Sequence, residues 1–152
     1  MSDKQRTAAI IGGGVIGSGW ATRFLLNGWN VRFFDPSADA ERALHAVIAL
    51  GREAMPALCD VVPEEGSLHI ATSTADVVEG ALYIQESTPE RIEVKQAVLK
   101  SIQESCDANA IVASSTSGFM PSELQEGALR PEQIIVSHPY NPVYLLPLVE
   151  VV

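Results

Sequence analysis

The chain closes on "SHPYNPVYLLPLVEVV", where His138 is followed twelve residues later by Glu150, set in an otherwise apolar run. A carboxylate in such a run is costly unless something pairs with it. Histidine is the side chain whose proton affinity suits a general base near neutral pH, and a neighbouring carboxylate can fix its tautomer and stabilise the imidazolium it becomes. The residues alone leave two readings open. Glu150 is either a surface charge or the supporting acid of His138, and a histidine after a strand is by default a satisfied structural residue.

A second constellation lies near the start of the chain. Gly12, Gly13, Gly14, Val15, Ile16 and Gly17 spell GxGxxG between a strand-like run and a helix-like one. In a dinucleotide site the first glycine of that pattern allows a tight turn, the second lets a pyrophosphate approach the backbone, and the third lets helix and strand pack closely. The opening turn of the helix, at Val15 and Ile16, then offers free N–H groups to the phosphates. Asp35 ends the next strand about 20 residues on, where a carboxylate can accept hydrogen bonds from ribose hydroxyls. A carboxylate there repels a 2′-phosphate, so NAD is expected over NADP; FAD shares the glycine pattern.

These residues need a scaffold, and the chain spells one. Short β-rich runs at 7–12, 30–35, 68–72, 81–86, 110–115, 134–139 and 145–152 alternate with helical patterns. That alternation predicts an α/β fold of Rossmann type, a doubly wound and mostly parallel sheet with helices on both faces. Gly28 is placed to end the first helix, Pro56 to kink or end the second, and Pro89 to begin the helix that runs to Cys106. Polar residues cluster where strands four, five and six end, in "QESTPERIEVK", "SSTSG" and "SHPYNP". Ligands of open α/β sheets bind at such carboxyl ends.

Composition bounds the function classes. A chain of 152 residues with 47% hydrophobic and 19% charged content builds one domain, 1–152, with a sizeable core. A net charge of -9 disfavours a nucleic-acid backbone or an anionic membrane as partner and favours a small-molecule substrate. No apolar stretch reaches the length of a membrane span, and the opening "MSDKQRTAAIIGGG" lacks the form of a secretory leader. Cys59 and Cys106 stand apart with no CxxC, the pattern of isolated thiols in a reducing, cytoplasmic setting. His45 and His69 sit in helix and strand patterns without polar company.

Along almost its whole length the chain resembles the L-3-hydroxyacyl-CoA dehydrogenase superfamily. The resemblance is carried by "IGGGVIGSGWA", "ESTPERIEVK", "SSTSG" and "HPYNPVYLLPLVEVV". Within that superfamily "IQESTPER" and "SSTSGFMPSE" are most similar to the branch that oxidises L-carnitine, with the acyl-CoA and gulonate branches as alternatives. The resemblance implies His138 as general base, Glu150 as its orienting acid, and Ser117 as the hydrogen-bond partner of the substrate hydroxyl. It implies that Asn141 lies near the nicotinamide and that Glu90 and Lys95 form a loop pair close to the cofactor. It also implies a mostly helical second domain, absent from this chain, and a homodimeric parent. A non-catalytic NAD-binding fragment is the competing expectation. Carnitine carries a trimethylammonium group, and aromatic faces bind such cations. Tyr140, Tyr144 or Phe119 is therefore a candidate border for it.

Overall fold

The computed structural model describes residues 6–152. Residues 1–5, the start of the stretch read against a secretory leader, lie outside the described residues. The elements run β1 (Thr7–Ile11), α1 (Val15–Leu26), β2 (Asn30–Phe34), α2 (Ala40–Leu58), β3 (Leu68–Ile70), α3 (Thr74–Val78) and β4 (Tyr83–Glu86). They continue with α4 (Ile92–Ser105), β5 (Ile111–Ser114), α5 (Pro121–Leu124), β6 (Ile134–Pro139) and β7 (Val149–Val151), with a 3-10 turn at Pro131–Gln133.

All seven strands form one sheet in the order β3-β2-β1-β4-β5-β6-β7. β1 to β6 are parallel and β7 is antiparallel to β6. Ala8, Ala9 and Ile10 in the central strand are fully buried, as expected of a parallel strand covered on both faces. One face of the sheet packs α3, α4 and α5 through Val77, Ile84, Leu99, Ile102 and Leu124. The other packs α1 and α2 through Ile10, Trp20, Leu25, Phe33, Leu44 and Ile48. The expected doubly wound α/β architecture is therefore present, and the strand order reverses between β1 and β4, which opens a crevice at their carboxyl ends.

Several sequence-based boundaries shift: the run expected at 145–152 is a strand only over Val149–Val151, that at 81–86 begins at Tyr83, and two helices differ. α2 runs two residues past Pro56 before it ends, because a proline in the last turn forfeits only one N–H. α4 begins at Ile92 rather than Pro89, since residues 89–91 form a tight turn, with the Arg91 N–H donating to the Pro89 carbonyl. That turn frees Glu90 to reach a neighbouring loop. No helix among the described residues is long and apolar enough to cross a membrane.

Candidate active site

Gly12 sits at φ +99°, and a Cβ there would lie 2.4 Å from the Ser87 carbonyl oxygen. A Cβ on Gly17 would lie 1.8 Å from the Gly12 carbonyl, so α1 can pack this closely on β1 only without a side chain. Gly14 differs, because a Cβ built there meets no atom within 4 Å. It faces open space at the start of α1, where the first N–H groups have no partner within the helix. Asp35 closes the turn: its Oδ2 accepts from the Gly13 N–H at 2.6 Å and its Oδ1 from the Ser37 N–H at 2.7 Å. Each oxygen keeps a further acceptor site. Ile11, Gly12, Gly14, Asp35, Ser87 and Val98 are among the residues lining a cleft of about 580 Å³. The open Gly14 backbone, the helix N-terminus and the Asp35 carboxylate fit the phosphates and ribose of NAD in that order. Val15 is exposed and Ile16 half-buried at the start of α1.

Beside this cleft lies a knot of polar residues, of which sequence reasoning named Glu90 and Lys95 and missed Glu86. Glu86, at the end of β4, is fully buried and its Oε1 lies 3.1 Å from the Nζ of Lys95, itself 1% exposed. The same carboxylate accepts from the Thr88 N–H and hydroxyl, each at 2.6 Å, and from the Ser114 hydroxyl. Lys95 also donates to the Thr88 carbonyl and lies 3.3 Å from Glu90. Expected near the cofactor, Lys95 is thus held by the protein itself and does not present its ammonium to the cleft. Glu90 reaches across to the β5 loop, where its Oε1 accepts from the Thr116 hydroxyl and from the Ser117 and Gly118 N–H groups. Burial works to raise the Glu90 carboxyl, but those hydrogen bonds and the Lys95 charge outweigh it and hold the group below the ordinary carboxylate value. A Glu at the end of a buried parallel strand, nine residues before a Lys, was the signal available for Glu86.

The Glu90 tie sets the position of Ser117, whose exposed hydroxyl points to no protein partner among the described residues. Thr116, Ser117, Phe119, Val136, His138 and Glu150 are among the residues lining a second cleft, of about 410 Å³. His138 and Glu150 are directly opposed in the antiparallel β6–β7 ladder, so their side chains share one face. His138 Nδ1 lies 2.9 Å from Glu150 Oε2. Nε2 has no hydrogen-bond partner among the described residues. His138, and then Tyr140, hold the Glu150 carboxyl below its ordinary value, and hydrogen bonding to Glu150, followed by its charge, pushes the Tyr140 phenol up. The Tyr140 ring also meets His138 edge-on, with centroids 5.8 Å apart.

The remaining candidates are scattered. Asn141 is exposed in the loop after β6 and lines neither of these two clefts. Tyr144 packs toward α1 and α2, with its carbonyl accepting from Arg23 and its ring near Gly51, away from the His138 cleft. His69, expected without polar company, instead lies 3.0 Å from Asp76, because the β3–α3 turn folds residue 76 back on it. Cys59 and Cys106 are both free thiols. Among the described residues no group of three or more His, Cys, Asp or Glu side chains is placed to hold a metal.

Comparison with known proteins bears on the fold and the family. The chain is 62% identical over 147 residues to an L-carnitine dehydrogenase/betainyl-CoA thioesterase of Ruegeria pomeroyi, which covers 96% of this chain and 30% of that protein. It is 49% identical over 147 residues to an L-carnitine dehydrogenase of Mesorhizobium japonicum, covering 95% of this chain and 40% of the relative. The chain therefore spans well under half the length of these curated relatives. Among solved structures, it superposes on an NAD+-dependent dismutase, 5-formyl-3-hydroxy-2-methylpyridine 4-carboxylic acid 5-dehydrogenase, with a TM-score of 0.88 and 31% identity. That match covers 97% of this chain and 48% of the other. The 3-hydroxybutyryl-CoA dehydrogenase of Escherichia coli K12 gives a TM-score of 0.82 at 25% identity, covering 97% and 32%. Residues 7–152 match the family described as 3-hydroxyacyl-CoA dehydrogenase, NAD binding domain, and the chain belongs to that family.

Proposed function

We propose that the chain is the nucleotide-binding and base-bearing part of an NAD-dependent enzyme that oxidises the 3-hydroxyl of L-carnitine to 3-dehydrocarnitine. The relatives named for that activity support the substrate. The observation that carries the chemistry is the His138–Glu150 pair, set on the same cleft as Ser117. With Glu150 accepting from Nδ1–H, the imidazole is fixed in the tautomer whose Nε2 lone pair is free. Nε2 takes the hydroxyl proton, and the Glu150 carboxylate stabilises the imidazolium that results. Ser117 supplies a hydrogen bond to the same hydroxyl, held in place through its N–H by Glu90. NAD, bound along the glycine turn and Asp35, supplies the hydride acceptor. Of the three aromatic candidates, Phe119 and Tyr140 border the site and Tyr144 does not, so the trimethylammonium group is assigned to the first two.

Domain 1–152 is proposed as the N-terminal part of a longer, cytoplasmic and homodimeric dehydrogenase. On its own it binds nucleotide and does not turn over substrate. The test is a panel of carnitine, 3-hydroxybutyryl-CoA and gulonate with NAD, run on the complete polypeptide that carries this chain. NADH formation with carnitine in preference to the other two is the expected result. Preference for either competitor, or full turnover by His138→Ala, refutes the reading.

A further inference from the structure

On the face of the sheet opposite His138, the carboxyl ends of β4, β5 and β6 carry a row of polar side chains. Ser87 follows β4 and lines the nucleotide cleft, Ser115 follows β5, and Ser137 precedes His138 on β6. Ser87 and Ser115 hydroxyls are 2.8 Å apart. Gln85, fully buried, donates from Nε2 to the Ser115 hydroxyl at 2.7 Å and toward the Ser137 carbonyl at 3.4 Å. The Tyr83 hydroxyl donates to Gln85 Oε1 at 2.7 Å and lies 3.0 Å from the Ser137 hydroxyl. Gln85 is paired with Ala113 on β5, and a small residue there leaves room for the two longer side chains to span the strand.

Five polar side chains in such a row are a poor way to gain stability, because an apolar row of equal volume avoids the desolvation of every hydroxyl and amide. What the row does achieve is geometric. The Glu86 knot on the other face joins β4 to β5 and α4, whereas this row continues to β6, the strand that bears His138. Its first member, Ser87, touches the glycine turn: a Cβ on Gly17 would lie 3.3 Å from the Ser87 Cβ, and one on Gly12 would meet the Ser87 carbonyl. Burial pushes the Tyr83 phenol up, so it stays a proton donor across the working range.

We propose that Tyr83 and Gln85 are positioning residues, a buried crossbar that sets the β6 end bearing His138 relative to the glycine turn and thereby ties the base to the bound nucleotide. The functional meaning rests on His138 being the base; the mechanical coupling does not. The test uses ADP-ribose, which fills the phosphate and ribose sites and has no nicotinamide to touch His138 directly. Titrated into the isotope-labelled chain, it is expected to move the Ser137 and His138 backbone amide resonances. In Tyr83→Phe and Gln85→Leu those movements should fall by about threefold or more, with the ADP-ribose Kd changed by less than about threefold. Ser137→Ala, which removes one hydroxyl, provides the same comparison should either variant fail to fold. Absent movements in the parent chain, or full-size movements in the folded variants, overturn the proposal. Because the readout contains no turnover, it fails separately from the assignment of His138 as base.

Discussion

Glu86–Lys95 and His138–Glu150 have similar contact distances, 3.1 and 2.9 Å, in opposite surroundings. The first pair is 0% and 1% exposed and every oxygen and proton in it is directed at protein. The second is 30% exposed at His138 and 57% at Glu150, and it leaves Nε2 without a protein partner among the described residues. A buried pair that is fully hydrogen-bonded cannot pass a proton to or from an outside group without leaving its partner's charge stranded. An exposed pair held at one ring nitrogen can protonate at the other at little structural cost. Under the proposed function, fixing loops and moving protons fall to different pairs, and Glu90 links the first to the Ser117 loop beside the second.

The contrast is broken most severely at Lys95. Lys95→Met leaves Glu86 charged and uncompensated, and a loss of about 3–5 kcal/mol in urea unfolding is expected. Adding Glu86→Leu to it should recover a large part of that loss, since neither charge then remains. Glu150→Gln is expected to leave urea unfolding nearly unchanged, because the pair is exposed and screened by solvent. In the complete enzyme the same substitution should lower kcat with carnitine by about a hundredfold or more. Phe119→Ala should raise the carnitine KM by a few-fold with kcat nearly unchanged, since one exposed cation–aromatic contact contributes about 0.5–1 kcal/mol. An unchanged KM would remove Phe119 from the substrate site.

The smallest effect tests a third carboxylate, far from either pair. The Thr72 N–H, then His69, hold Asp76 down at about 2 from an ordinary 3.8. The stability this group contributes is fully present above 3.8 and is lost as the pH falls through about 2. Thermal melting of the parent chain and of Asp76→Asn, followed from pH 6 to pH 2, should show a shallower acid-side decline in the variant. Equal slopes would mean that Asp76 carries no linked proton.

Much of this architecture was legible because it is written locally. The glycine turn and Asp35 are separated by one helix and one strand of standard length, so pattern and spacing determine their meeting. His138 and Glu150 come together because two strands joined by a short excursion pair in antiparallel fashion. What could not be read depends on register between strands distant in sequence. Glu86 looks like one charge at the end of a short strand until β4 and β5 align it with Ser114. Gln85 gains its role only when Ser115 and Ser137 are brought alongside. The start of α4 was misplaced for a related reason, since Pro89 has the chemistry of a helix start but the reach of Glu90 to Thr116 favours a turn there.

The β6–β7 ladder has one more consequence. Reciprocal hydrogen bonds between Val136 and Val152 lock the two strands together next to the His138–Glu150 pair. The twelve-residue spacing is therefore not itself a chemical requirement. Changes at the exposed residues of 141–147 leave the pair intact as long as Val143 stays packed in the core and β7 docks in the same frame. A slip of a single residue in that frame instead turns Glu150 to the opposite side of the sheet. The meeting of His138 and Glu150 thus depends on a three-residue edge strand, and for redesign the ladder and Val143 are the parts to preserve.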